Sequence, residues 1–209
     1  MNEKIKVPDW AYLNKYKDEN AQIIAFPFEE KRIVFFGDSI IAGWKLLGSE
    51  FFANKKNINR GINGQTTSQM LLRFRPDVIE LKPKMVIILA GTNDIAGNTG
   101  PTTLETILGN LISMCELAKA NSIKPVLCSV LPAFDYPWRK AMQPAEKIET
   151  LNTMILQHAI TNDIEYVDYY SEMADEQKGL KSIYTEDGVH PNKDGYLIMK
   201  SITKSSILM

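Results

Sequence analysis

The sequence predicts an α/β fold, a central five-stranded parallel sheet with helices on both faces. Three observations carry that prediction. Short apolar runs alternate five times with segments whose apolar residues recur at helical spacing. The clearest run, Met85 to Ala90, contains no polar residue, as suits a central parallel strand covered on both sides. Three of the runs end in small polar loops, which in a parallel sheet open on one edge, the edge where such folds bind ligands.

Composition fits a single globular unit. The chain has 209 residues, 44% hydrophobic and 23% charged. A net charge of −1 implies no basic surface for nucleic acid. No apolar run reaches membrane-spanning length, so no membrane partner is expected. The first ten residues lack the apolar stretch of a signal peptide, which points to the cytoplasm as the chain stands, or to export if a leader has been removed. Cys115 and Cys128, the only cysteines, lie in apolar segments and read as buried free thiols. Neither they nor the two histidines, His158 and His190, have zinc-site spacing, so no metal is expected.

In chain order, residues 1–30 read as a helix from about Pro8 to Asn20 packed on the outside, then a connector through Pro27. Residues 31–209 read as one domain. Ile33 to Phe36 is the first strand and stops at Gly37. Asp38 and Ser39 follow, and Ile40, Ile41, Trp44 and Leu47 then repeat at helical spacing. Asn57 to Asn59 is a weak second strand leading into the glycine-bearing loop Arg60 to Thr67. A helix over about 67–81 is expected to break near Pro76. The Met85 strand ends in Gly91-Thr-Asn-Asp94. A helix from Thr102 or Thr103 to Ala120, a strand from Lys124 to Leu131 and a long loop over 132–144 come next. They are followed by a helix over 144–161, a strand from Ile164 to Asp168, an irregular stretch, and a last helix over 193–208.

Ser39 lies on a strand-to-helix turn. It is either a helix N-cap, since Ser and Asp are the preferred caps, or a nucleophile. A nucleophilic serine needs a base, because its hydroxyl is barely ionised at neutral pH. Asp187-Gly-Val-His190 could supply one: a carboxylate three residues before a histidine can hold Nδ1–H and leave Nε2 free to accept a proton. An acyl-transfer serine also needs donors for the developing oxyanion. The N–H of Ser39, the N–H of Gly64 and the amide of Asn93 are candidates, although Gly and Asn are also ordinary loop residues.

These residues carry a resemblance. Gly37-Asp38-Ser39, Gly61-Ile62-Asn63-Gly64, Gly91-Thr92-Asn93-Asp94 and Asp187-Gly188-Val189-His190-Pro191 resemble, in order and spacing, the four blocks of the SGNH/GDSL hydrolases. Their wording is most similar to bacterial acylhydrolases akin to platelet-activating-factor acetylhydrolase and to carbohydrate acetylesterases. Ile41 stands where many members carry Thr. The resemblance spans Lys31 to about Leu208. It implies a flavodoxin-like three-layer sandwich and a cofactor-free serine esterase acting on a small-molecule or glycan ester. Ser39 would be the nucleophile, His190 the base and then the acid, and Asp187 its orienter, with Ser39, Gly64 and Asn93 as oxyanion donors.

Further candidates for substrate contact are Asp38, Asn63 and Val189 beside these residues, Trp44 on the following helix, and Phe134 and Trp138 in the long loop. Trp44 fits core packing as well as a pocket rim, and the loop aromatics could stack on a sugar or pin the loop. The expected reaction is removal of a short acyl group, foremost acetyl from a carbohydrate. Alternatives are lysophospholipids or thioesters with longer chains, transfer to an acceptor other than water, and a non-catalytic flavodoxin-like binding domain. Gly43 to Ser49 has P-loop glycine spacing without the phosphate-binding lysine, and no dinucleotide fingerprint is present.

Overall fold

The computed structural model describes residues 9–25, 32–53 and 56–207. Five strands, β1 (Ile33–Gly37), β2 (Asn57–Gly61), β3 (Met85–Leu89), β4 (Lys124–Cys128) and β5 (Glu165–Val167), pair in parallel in the order β2-β1-β3-β4-β5. The expected α/β architecture is therefore the observed one.

The pleat explains the layering. Alternate strand residues point to opposite faces, and each face has its own core. Val34, Phe36, Val86, Ile88 and Leu127 face one cluster, which takes in Phe74, Leu111 and Ile155 from α4 (Thr67–Asp77), α6 (Leu104–Ala120) and α7 (Pro144–Thr161). Phe35, Ile87, Val126 and Val167 face the other, with Trp44, Phe51, Tyr196 and Met199 from α2 (Ser39–Leu47), α3 (Ser49–Ala53) and α9 (Lys193–Ile207). The continuous apolar runs are thus buried on both sides, as their composition requires. Gly37 ends β1 where only a glycine fits: a Cβ there would lie 2.5 Å from both Ile41 Cγ1 and Leu89 O.

Several boundaries differ from expectation. The first helix, α1, spans Lys17–Ala25 and not Pro8 to Asn20. Upstream of it the Asp9 carboxylate accepts from the backbone N–H of Leu13 and Asn14, and Tyr12 sits at φ 55, which interrupts any helix there. The connector at 26–30 lies outside the described residues. β2 runs two residues further than expected. β4 stops at Cys128, three residues early, because the Asn152 side chain takes over both backbone groups of Val130, accepting from its N–H at 2.7 Å and donating to its carbonyl at 3.0 Å. Helix α4 ends at Asp77, one residue past Pro76, and a 3₁₀ turn Ile79–Leu81 completes the segment. The loop after β3 contains a helical turn, α5 (Thr92–Ile95), and the stretch after β5 contains α8 (Tyr170–Met173) and a 3₁₀ turn at Ser182–Tyr184.

Candidate active site

The strand order changes direction between β1 and β3, and the loops after β1, β2 and β3 meet at that crevice. Asp38, rather than Ser39, caps α2: its Oδ1 accepts from the N–H of Ile40 at 2.9 Å. Ser39 is the first helical residue, and its hydroxyl is half-buried at the crevice.

Opposite it stands His190, on the loop before α9. Ser39 Oγ lies 3.0 Å from His190 Nε2, and His190 Nδ1 lies 2.7 Å from Asp187 Oδ2. A carboxylate facing Nδ1 fixes the proton there, so Nε2 is the acceptor and the serine hydroxyl donates to it. Asp187 is itself held: its Oδ1 accepts from the backbone N–H of Val189 at 2.9 Å and of His190 at 2.8 Å. Partial burial alone would raise the Asp187 pKa, but the hydrogen bonds from the His190 ring and from these two amides outweigh it and hold the carboxyl below its ordinary value. Ser39, His190 and Asp187 thus stand within hydrogen-bond reach in sequence, an arrangement suited to acyl transfer.

The loops that carry Gly64 and Asn93 are equally ordered. Gly64 adopts φ +75, a left-handed conformation natural to glycine. Asn93 Nδ2 donates to Asp38 Oδ2 and to the carbonyl of Gln65, both at 3.1 Å, while its Oδ1 accepts from Asn98 Nδ2 at 2.8 Å. Asn98 Nδ2 also lies 3.3 Å from the Gly64 carbonyl. Asp38 is buried and its pKa is raised to about 6, chiefly by loss of solvent, with the Ile40 N–H and the nearby His190 opposing. Asp94 likewise is raised to about 6 by burial, against hydrogen bonds from the hydroxyl and N–H of Thr67 that anchor the start of α4.

Behind these loops lies a polar brace. The Arg73 guanidinium, fully buried, donates through Nε to Gln65 Oε1 at 2.5 Å, through Nη1 to Asp77 at 2.9 Å and through Nη2 to the Gly37 carbonyl at 2.9 Å. It also lies over the Phe36 ring at 4.2 Å. One side chain thereby ties the end of β1 to the Gly64–Gln65 loop. The chain upstream of α1 closes over the same region. Tyr16 donates to the Gly61 carbonyl at 2.5 Å, Gln65 Nε2 to the Ala11 carbonyl and Gln69 Nε2 to the Trp10 carbonyl. Asn98, Gln65 and Arg73 are absent from the residues singled out in the sequence. The signal for Arg73 was legible: with Asp77 it forms an i,i+4 pair on the same helix face as Met70 and Phe74.

Of the further candidates, Trp138 is half-exposed, its ring 5.9 Å from that of His190 and stacked on Tyr136 at 5.1 Å. Arg139 beside it donates to the carbonyls of Ala96 and Gly97, latching this loop to the Asn98 loop. Phe134 is exposed, and so is Asn63, next to Gly64. Trp44 is a correction: it is fully buried, stacked between Phe51 at 4.9 Å and Tyr196 at 5.9 Å, and so is closed to substrate. Asp38 and Val189 are corrections of the same kind: both side chains are buried and closed to substrate.

A parallel sheet with a serine, a histidine and a carboxylate converging on its switch point has the geometry that serine-type ester hydrolysis requires. Residues 35–198 match the model of the GDSL-like Lipase/Acylhydrolase family, and the chain belongs to that family. It is similar to the crystal structure of a GDSL-like lipase from Bacteroides thetaiotaomicron, with 47% identity, a TM-score of 0.91 and coverage of 96% of this chain and 98% of that one. Among curated proteins it is 26% identical over 171 residues to Esterase TesA of Pseudomonas aeruginosa, covering 76% of this chain and 79% of that protein. With other curated relatives the chain spans about half their length. The match covers 49% of an uncharacterized lipoprotein, YqeF, from Bacillus subtilis at 32% identity over 49% of this chain, and 48% of human platelet-activating factor acetylhydrolase IB subunit alpha2 at 26% identity over 52% of this chain. The fold is also shared with Axe2, an acetylxylan esterase from Geobacillus stearothermophilus, at 19% identity, a TM-score of 0.69 and coverage of 86% and 94% of the two chains. Membership of this family is what the four sequence blocks led one to expect.

Proposed function

We propose that the protein removes short acyl groups, foremost O-acetyl, from a carbohydrate ester through an acyl-enzyme on Ser39. His190 Nε2 takes the Ser39 proton as Oγ attacks the ester carbonyl, and Asp187 steadies the imidazolium that forms. The Ser39 N–H, the Gly64 N–H and Asn93 Nδ2 receive the oxyanion. For Asn93 this means redirecting one of two N–H groups that rest on Asp38 and Gln65. The tetrahedral intermediate collapses, the C–O bond to the alcohol breaks, and His190 returns its proton to the leaving oxygen. Water, deprotonated by the same histidine, then releases the acid.

The observation that carries the carbohydrate reading is Trp138. A half-exposed indole 5.9 Å from the ring that protonates the leaving alcohol suits a sugar ring as that alcohol. The test is hydrolysis of p-nitrophenyl esters of rising chain length together with acetylated xylose and glucose, by wild type and Ser39→Ala. Acetyl preference, release of acetate from a sugar and a silent variant are expected. Preference for chains longer than butyryl would transfer the reading to lysophospholipids or thioesters.

A further inference from the structure

Two surface clefts adjoin the catalytic loop and share two residues, Phe134 and Asp135. One, of about 300 Å³, is bordered by Asp187, Gly188, Lys140 and Asp175. The other, of about 520 Å³, continues past Phe134 to Gln143, Glu146 and Gln177. Together they make one groove leading away from the orienting carboxylate of His190.

Three features describe what fits it. Phe134 is 60% exposed, a large apolar ring displayed to solvent with its base held by backbone packing: a Cβ on Gly179 would come within 3.2 Å of Phe134 Cβ. An exposed ring flanked by amide side chains offers a flat apolar face and hydroxyl-binding partners, the pairing a pyranose ring presents in reverse. The charge is one-sided. Asp135, Glu146, Asp175 and Asp187 line the groove against Lys140 and Lys178, and Lys178 is already paired with Glu149 at 2.7 Å. Such a lining disfavours chains that carry carboxylates or phosphates, and the exposed ring with its amide neighbours suits an uncharged sugar.

We propose that this groove binds a neutral oligosaccharide, the continuation of the chain whose acetylated residue lies at Ser39, with Phe134 as a stacking platform. The proposal rests on the carbohydrate reading for the substrate class, but it has its own readout. In the Ser39→Ala protein, titration calorimetry with unacetylated xylotetraose, cellotetraose and mannotetraose measures the groove without catalysis. At least one should bind. Phe134→Ala and, separately, Gln177→Ala on that background should weaken it about tenfold or more, and tetragalacturonate should not bind. In the active enzyme, the ratio of kcat/KM for the acetylated tetrasaccharide to that for p-nitrophenyl acetate should fall to a similar degree with either variant. Absence of binding by all three neutral sugars, or binding untouched by both variants, overturns the groove. Release of acetate from sugars with no dependence on chain length does so as well. Binding without any sugar deacetylation would instead remove the proposed substrate and keep the groove.

Discussion

Asn93 Nδ2 and Asp38 Oδ2 are joined by a 3.1 Å hydrogen bond, and the other oxygen of the same carboxylate caps α2 at the N–H of Ile40. Asp38 therefore fixes both the start of the helix that carries Ser39 and the direction of the Asn93 amide. Asn93→Ala should lower kcat by about 10²–10³ with little change in KM, read from steady-state kinetics. Asp38→Ala should cost about 1 kcal/mol from the lost cap, measured by urea unfolding, together with a smaller loss of kcat.

Asp38 and Asp94 also give the protein a pH dependence of stability. Both have folded pKa values of about 6, above the ordinary 3.8, so the native state holds their protons more tightly than the unfolded chain. Their contribution is fully present below about pH 4 and is lost as the pH rises through 6. The Tm should thus be higher near pH 5 than near pH 7.5, and Asp38→Asn should narrow that difference. Asp187, held below its ordinary value, acts only at more acid pH and does not mask the effect.

Asp187→Asn leaves a side chain of the same shape that can no longer hold Nδ1–H against a charge. A loss of order 10³–10⁴ in kcat at neutral pH is expected, with near-normal thermal unfolding. Comparison with Ser39→Ala measures what the donor loops contribute on their own.

Arg73 and Asp77 form a buried ion pair at 2.9 Å. Burial lowers the arginine pKa, and the aspartate beside it opposes that shift. Arg73→Met strands the carboxylate and should destabilise the fold by about 3–5 kcal/mol, whereas Arg73→Met with Asp77→Leu should recover part of the loss. Denaturant midpoints of the two variants give the answer.

Burial pushes the Cys115 thiol up to about 12 and the Cys128 thiol higher still. Neither should react with a thiol-specific reagent in the native state at pH 8, and both should react on unfolding.

Much of this was readable from the chain because the informative signals are local. The Met85 run and the four polar blocks lie in short stretches whose chemistry needs no partner to be recognised, so the strands and the Ser39, Asp187 and His190 set could be named in advance. What escaped depends on partners distant in sequence. The role of Gln65 exists only because Arg73 reaches it across the loop and Asn93 reaches its carbonyl. Trp44 could not be assigned to core or rim from helical spacing, since Phe51 and Tyr196 decide it. The first helix was misplaced because aromatic content suggested burial, whereas Trp10, Tyr12 and Leu13 remain exposed.

Ser39 and His190 are separated by 151 positions, and the Tyr196 hydroxyl binds the carbonyl of Ile40 across 156. Contacts that distant form slowly, since loop-closure entropy must be lost before the contact repays it. Turnover should accordingly be the last property regained on refolding from denaturant, after helix content has returned. Ester hydrolysis would then report when the loop carrying His190 has docked against the start of α2.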